Sequence, residues 1–163
     1  MLFRSGSIAG RRVALLVADG ADAASLQAVY DALIGAGASP RYLGAKLGKV
    51  KAAKGAAIEI EATLETMPSP MWDAVAIDAS AEALAKVGPA VEFVKEQFRH
   101  CKSVLILGAA PALLAAAGIA APADSGFIDA AADGLSATAA VDAFMKAIGQ
   151  HKHYEREKDP SPV

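Results

Sequence analysis

KSVLILGAAPALLAAAGI, residues 102–119, runs from a buried strand through a sharp turn into a helix. Val104, Leu105, Ile106 and Leu107 are apolar on both faces, as a strand is when helices cover both sides of its sheet. Many α/β hydrolytic folds place Ser or Cys where such a strand breaks into its helix, because the tight elbow pushes that side chain toward substrate and aims helix N–H groups at a developing oxyanion. Here the elbow is Gly108, followed by Ala109 and Ala110. None of the three carries a nucleophilic atom or a transferable proton, so the segment reads as an enzyme scaffold without its chemistry.

Outward from that strand, the same alternation of strand and helix recurs. RVALLVA at 12–18 is a short apolar run that ends at Asp19-Gly20, and Leu26, Val29, Tyr30, Leu33 and Ile34 follow at helical spacing. Asp22 and Ser25 are both candidates for the N-cap, and Gly35 and Gly37 for the stop. PRYLGA at 40–45 completes a βαβ unit. KVKAAKGAAIEIEATL at 49–64 differs: a Lys54-Gly55 turn and the alternation Ile58, Glu59, Ile60, Glu61 predict a small hairpin with one wet face. WDAVAIDA at 72–79 is again a buried type of strand, and Pro89 opens a helix with Val91, Val94 and Phe98 inward. GFIDA at 126–130 predicts a last strand, and Ser136 caps a helix striped by Val141, Phe144, Met145 and Ile148. The expected architecture is α/β, three-layer and doubly wound, a mostly parallel flavodoxin-like sheet with a hairpin excursion.

Composition narrows the function. In 163 residues, 54% are hydrophobic but only 6% aromatic, enough to build one domain with a core of Ala, Val, Leu and Ile. A net charge of −2 and scattered Lys and Arg argue against a nucleic-acid partner. No apolar run is long enough for a membrane span, the opening MLFRSGSIAG lacks the apolar core of a signal peptide, and the single Cys101 permits no internal disulfide; a cytoplasmic location is expected. Residues 1–10, with two Gly and two Ser, read as a linker remnant, 11–157 as the domain and 158–163 as a tail.

Ligands of such sheets sit beyond the carboxyl ends of the strands, which makes Asp19, Gly20, Asp78, Gly108 and Ala109 the candidate cleft lining. Asp19 and Asp22 suit turns and caps as well as catalysis, and DGADAAS lacks the Gly-x-Gly-x-x-Gly spacing for a dinucleotide. Cys101 has Arg99, His100 and Lys102 beside it, a setting that favours a thiolate, but it precedes the strand and so lies at the wrong end for an elbow. His151 and His153, two apart, point different ways on a helix, so no metal site is expected. Met67-Pro68-Ser69-Pro70-Met71-Trp72, with the only tryptophan, suits either a partner contact or core packing.

GRRVALLVADGADAAS, LGKVKAAKG, FRHCK and IGQHKHYERE, within a likeness that spans residues 8–157, resemble the C-terminal domain of large-subunit haem catalases. Those domains in turn resemble the DJ-1/PfpI family, which uses an elbow Cys, a Glu after the first strand and often a His. Carried over, the elbow Cys falls on Gly108, the Glu falls near Ser25, and no His lies in AAPADSGFID at 120–129. The Pro-Gly-Gly turn common after the fourth strand of that family reads Asp78-Ala79-Ser80. The resemblance implies a noncatalytic accessory domain that stabilises the catalase assembly or modulates access to its core, with that core and neighbouring subunits as partners. It places haem and peroxide decomposition on sequence outside this chain. A chaperone-like module that holds unfolded clients and a residual hydrolase, glyoxalase or deglycase are the alternatives, the last without a nucleophile.

Overall fold

The computed structural model describes residues 8–100, 102–119, 126–130 and 134–150. Strand β1 (Arg12–Leu16) leads into helix α1 (Ala23–Gly35) and strand β2 (Ser39–Gly44). Strands β3 (Gly48–Val50), β4 (Ile58–Ile60) and β5 (Ala62–Thr63) follow, then a 3-10 turn at Ser69–Met71 and strand β6 (Ala74–Ile77). A 3-10 segment at Ala79–Leu84 precedes α2 (Gly88–Arg99), β7 (Ser103–Ile106), α3 (Pro111–Ala116), β8 (Phe127–Asp129) and α4 (Ala137–Gly149).

Six strands form one sheet in the order β5-β2-β1-β6-β7-β8, and each pairing is parallel. Buried side chains alternate between its faces. Val13 and Leu15 of β1, with Leu105 and Ile128, meet Leu26, Val29 and Leu33 of α1 and Val141, Phe144 and Ile148 of α4. Ala14, Leu16, Val75, Ile77, Val104 and Ile106 meet Phe93 and Val94 of α2 and Leu113 of α3 on the other face. The result is the expected three-layer doubly wound α/β fold, with the small antiparallel hairpin β3–β4 beside it.

Local chemistry explains the boundaries. Asp22 is the cap of α1, accepting the Ser25 N–H at 3.2 Å, and Ser136 caps α4 by accepting the Ala139 N–H at 3.1 Å. Gly37 ends the α1 turn with φ of +87°, a left-handed backbone that a side chain disfavours. Its carbonyl accepts the Gly10 N–H at 2.9 Å, and Ile8 is buried in the core, so residues 8–10 pack on the domain instead of belonging to a free linker.

Three details depart from the sequence expectation. The stretch at 49–64 splits, because β5 leaves the hairpin and pairs with β2 at Leu43↔Ala62. The buried face of α2 is Ala90, Phe93, Val94 and Gln97, with Val91 and Phe98 at its margin. Trp72 is only 1% exposed and donates its indole N–H to the Met67 carbonyl at 2.9 Å, so it serves the core and not a partner; Met71 beside it stays exposed.

Candidate functional site

The strand order reverses between β1 and β6, and the crevice beyond their carboxyl ends is where such a sheet binds a ligand. Asp19, Gly20 and Asp22 reach it from β1, Asp78-Ala79-Ser80 from β6, and Gly108-Ala109 from β7. Each carboxylate there accepts a hydrogen bond from the protein's own backbone. Asp19 Oδ1 takes the Lys51 N–H at 2.8 Å, which ties it to the hairpin. Asp22 takes Ser25, through both the N–H and the hydroxyl. Asp78, 2% exposed, takes the Ser80 N–H at 2.9 Å and the Asp22 N–H at 3.4 Å. The Ser80 hydroxyl oxygen accepts the Ala18 N–H at 3.0 Å, so the loops after β1 and β6 are stitched together across the switch point.

The elbow is closed by the same loop. A Cβ placed on Gly108 would lie 2.7 Å from the Ala79 Cβ and 3.2 Å from the Ala79 N, closer than side chains approach without the backbone moving. Gly108 is also absent from the glycines with positive φ, so its backbone lacks the left-handed conformation of a strained elbow. Three residues further along that loop, Glu82 Oε1 accepts the Leu113 N–H at 3.0 Å. This places a carboxylate on the first turn of α3, whose own cap residue Ala110 offers no side-chain acceptor. A helix start that could face an oxyanion therefore already holds an internal anion. Residues 78–82 thus make contacts with Ala18, Asp22, Gly108 and Leu113 around the crevice.

The remaining candidates are dispersed. Ser25, the expected acid position, lies in the first turn of α1 and is bonded to Asp22. Ala109 is exposed on the rim. Cys101, His151 and His153 fall outside the described residues. Among the described residues no group of three or more His, Cys, Asp or Glu side chains could hold a metal ion, and no helix is long and apolar enough to cross a membrane.

Glu82 and Ala79 are the residues that sequence reasoning missed. Their roles depend on contacts with residues 113 and 108, which no local spacing encodes. The one available signal was the departure of Asp78-Ala79-Ser80 from a glycine-rich turn.

The family model for the C-terminal domain found in long catalases matches residues 9–158. The chain belongs to that family. This catalase C-terminal domain is 38% identical over 156 residues to catalase HPII of Pseudomonas putida, covering 94% of this chain and 20% of that protein. It is 37% identical over 151 residues to catalase C of Rhizobium meliloti, covering 91% of this chain and 21% of that protein. Catalase-1 of Neurospora crassa is 32% identical, with 94% of this chain and 24% of that protein covered. The domain thus spans about a fifth of the length of the curated relatives it matches. Among solved structures, it is similar to a two-domain protein of Anabaena variabilis containing DJ-1/ThiJ/PfpI-like and ferritin-like domains. That match has a TM-score of 0.61 at 22% identity over 66% of this chain and 32% of that one, a likeness of fold.

Proposed function

We propose that this domain is a noncatalytic accessory part of a long catalase, which stabilises the assembled enzyme while haem and the decomposition of peroxide belong to the remainder of that enzyme. The observation that carries this reading is the blocked elbow at Gly108. Ala79 occupies the space a side chain at Gly108 would need, and Asp78, Ser80 and Glu82 accept the Asp22, Ala18 and Leu113 N–H groups, so each of these three side chains holds two loops or elements together. A catalytic carboxylate needs a free oxygen near a reacting atom, and a covalent mechanism needs a nucleophile at the elbow. Gly108 supplies neither, and room for a replacement is taken. In this reading the DJ-1/PfpI-like scaffold has exchanged its reaction site for internal struts.

The test compares three proteins: the Pseudomonas putida catalase HPII body without its C-terminal domain, the same body joined to this chain, and this chain alone. The joined protein is expected to show a higher heat-inactivation midpoint than the body alone, with turnover changed by less than about twofold, since uniform stabilisation leaves transition-state binding untouched. The chain alone is expected to release no oxygen from peroxide above a buffer control. An unchanged midpoint overturns the accessory role, and oxygen release by the chain alone overturns the noncatalytic one.

A further inference from the structure

The hairpin offers a feature that the blocked elbow does not use. From Gly44 to Ile58 the chain holds four lysines, Lys46, Lys49, Lys51 and Lys54, and no acidic residue, although the whole chain has a net charge of −2. All four are exposed, and among the described residues none carries an ion pair. The nearby acids are Glu59, opposite Lys49 in the β3–β4 register, and Asp19, whose carboxylate accepts the Lys51 backbone N–H. Among these lysines stands Leu47, 70% exposed, more than Ile34 at 51% or Met71 at 42%, the other large apolar side chains left in solvent among the described residues. An exposed apolar side chain beside cations combines the apolar contact and polar rim that an interface patch needs.

The hairpin is also tied to the rest of the domain. Ile58 and Ile60 are buried in the core, the Gly20 N–H donates to the Lys51 carbonyl at 2.7 Å, and the Ala53 N–H donates to the Ala21 carbonyl at 2.8 Å. A surface fixed in this way forfeits little entropy on docking. Lysines on an edge strand also discourage edge-to-edge aggregation, but that role leaves the exposed Leu47 unexplained.

We propose that the Lys46–Lys54 face of the hairpin docks on a carboxylate-rich surface of the long catalase to which this domain is joined, with Leu47 as its apolar anchor. The occupant follows from the length of that enzyme, since the domain covers only 20% of the Pseudomonas putida relative and the rest of that polypeptide is always within reach. Nucleic acid fits less well, because the hairpin has no aromatic side chain on which a base could stack. This proposal rests on the accessory role above. A tether that gives an effective concentration of about 1 mM, against a Kd of about 0.1 mM, would leave roughly a tenth of the domains undocked.

Lysine acetylation at low reagent, read by peptide mass spectrometry, tests it on the chain alone and on the chain joined to the Pseudomonas putida body. Lys46, Lys49, Lys51 and Lys54 are expected to react about tenfold more slowly in the joined protein, in line with that undocked fraction. Lys86 and Lys95 are exposed controls near and on α2 and should keep their rates. Protection should fade near 1 M salt, where the Debye length falls to about 3 Å. Equal rates at the four lysines overturn the docking surface, and so does protection that a nuclease removes or that the chain alone shows at high concentration. If the joined protein still gains heat resistance while those lysines stay reactive, the docking surface fails and the accessory role stands. The K46E/K49E/K51E/K54E variant adds an independent check, expected to lose the gain in the joined protein while the isolated variant melts as the parent chain does.

Discussion

At the scale of single residues, Gly108 and Ala79 divide one space between them. Gly108→Cys is therefore expected to cost about 1–3 kcal/mol, the usual penalty of overpacking, seen as a lower urea midpoint. Adding Ala79→Gly should recover most of that loss, a coupling that two independent sites would not show. Asp78→Ala should cost about 1–3 kcal/mol in the same assay, because it strips an acceptor from the Ser80 and Asp22 N–H groups. The empty elbow was legible from Gly108 alone, since no side chain means no nucleophile. The blocking methyl was not, because residues 79 and 108 meet only after β6 and β7 pair. A second residue-scale prediction concerns pH. The Tyr42 ring stacks on Tyr30 with centroids 4.9 Å apart, and Tyr30 donates its hydroxyl hydrogen to Glu61. Burial first, then repulsion from Tyr30, Glu61 and Asp31, pushes the Tyr42 phenol up to about 12 from its ordinary 10.0. The folded state then keeps this proton longer than the unfolded one, so its contribution is intact below pH 10 and is lost as pH rises toward about 12. Tyrosinate absorbance should show a phenol titrating near 12, and Tyr42→Phe should remove that step and flatten the alkaline fall in stability.

At the scale of elements, α3 shows how a short helix is held without a cap of its own. Glu82, from the 3-10 segment before α2, accepts its Leu113 N–H across the crevice. Glu82→Ala should lower stability by about 0.5–2 kcal/mol, as loss of a local cap does, while Glu82→Gln keeps an acceptor and should lose less. Denaturant unfolding of the two variants checks the order. The long elements were legible because each carries its own period: Leu26, Val29 and Leu33 in α1, and Val141, Phe144 and Ile148 in α4. The hairpin was legible from the alternation at Ile58–Glu61. Strand β5 was not, since two residues contain no period, and Gln97 was not, because a polar side chain on the buried face breaks the apolar stripe of α2. Its amide donates to Ser69 at 2.9 and 2.8 Å, a match that only the folded chain reveals.

At the scale of the whole molecule, the two core layers share the one sheet between them, so the chain alone should unfold as one cooperative unit. Trp72 is the only tryptophan and is buried against the Met67 carbonyl, so its emission should shift to the red on unfolding. That shift and the far-ultraviolet circular dichroism should share one denaturant midpoint; two midpoints would show that the layers separate. The fold class was legible at this scale because strands and helices alternate along the chain, but the strand order was not, since any parallel pairing satisfies the same apolar runs. That order has a consequence for synthesis. Central strand β1 pairs Val13 with Ala74 and Leu16 with Ile77, so one edge of it stays bare until β6 leaves the ribosome. During that interval β1, α1 and β2 form an unfinished half-sheet with an open, adhesive margin, the kind of species that misassembles with its copies. A translational stall placed so that β2 but not β6 has cleared the ribosomal exit tunnel should therefore yield more aggregate than one placed so that β6 and β7 have both cleared it.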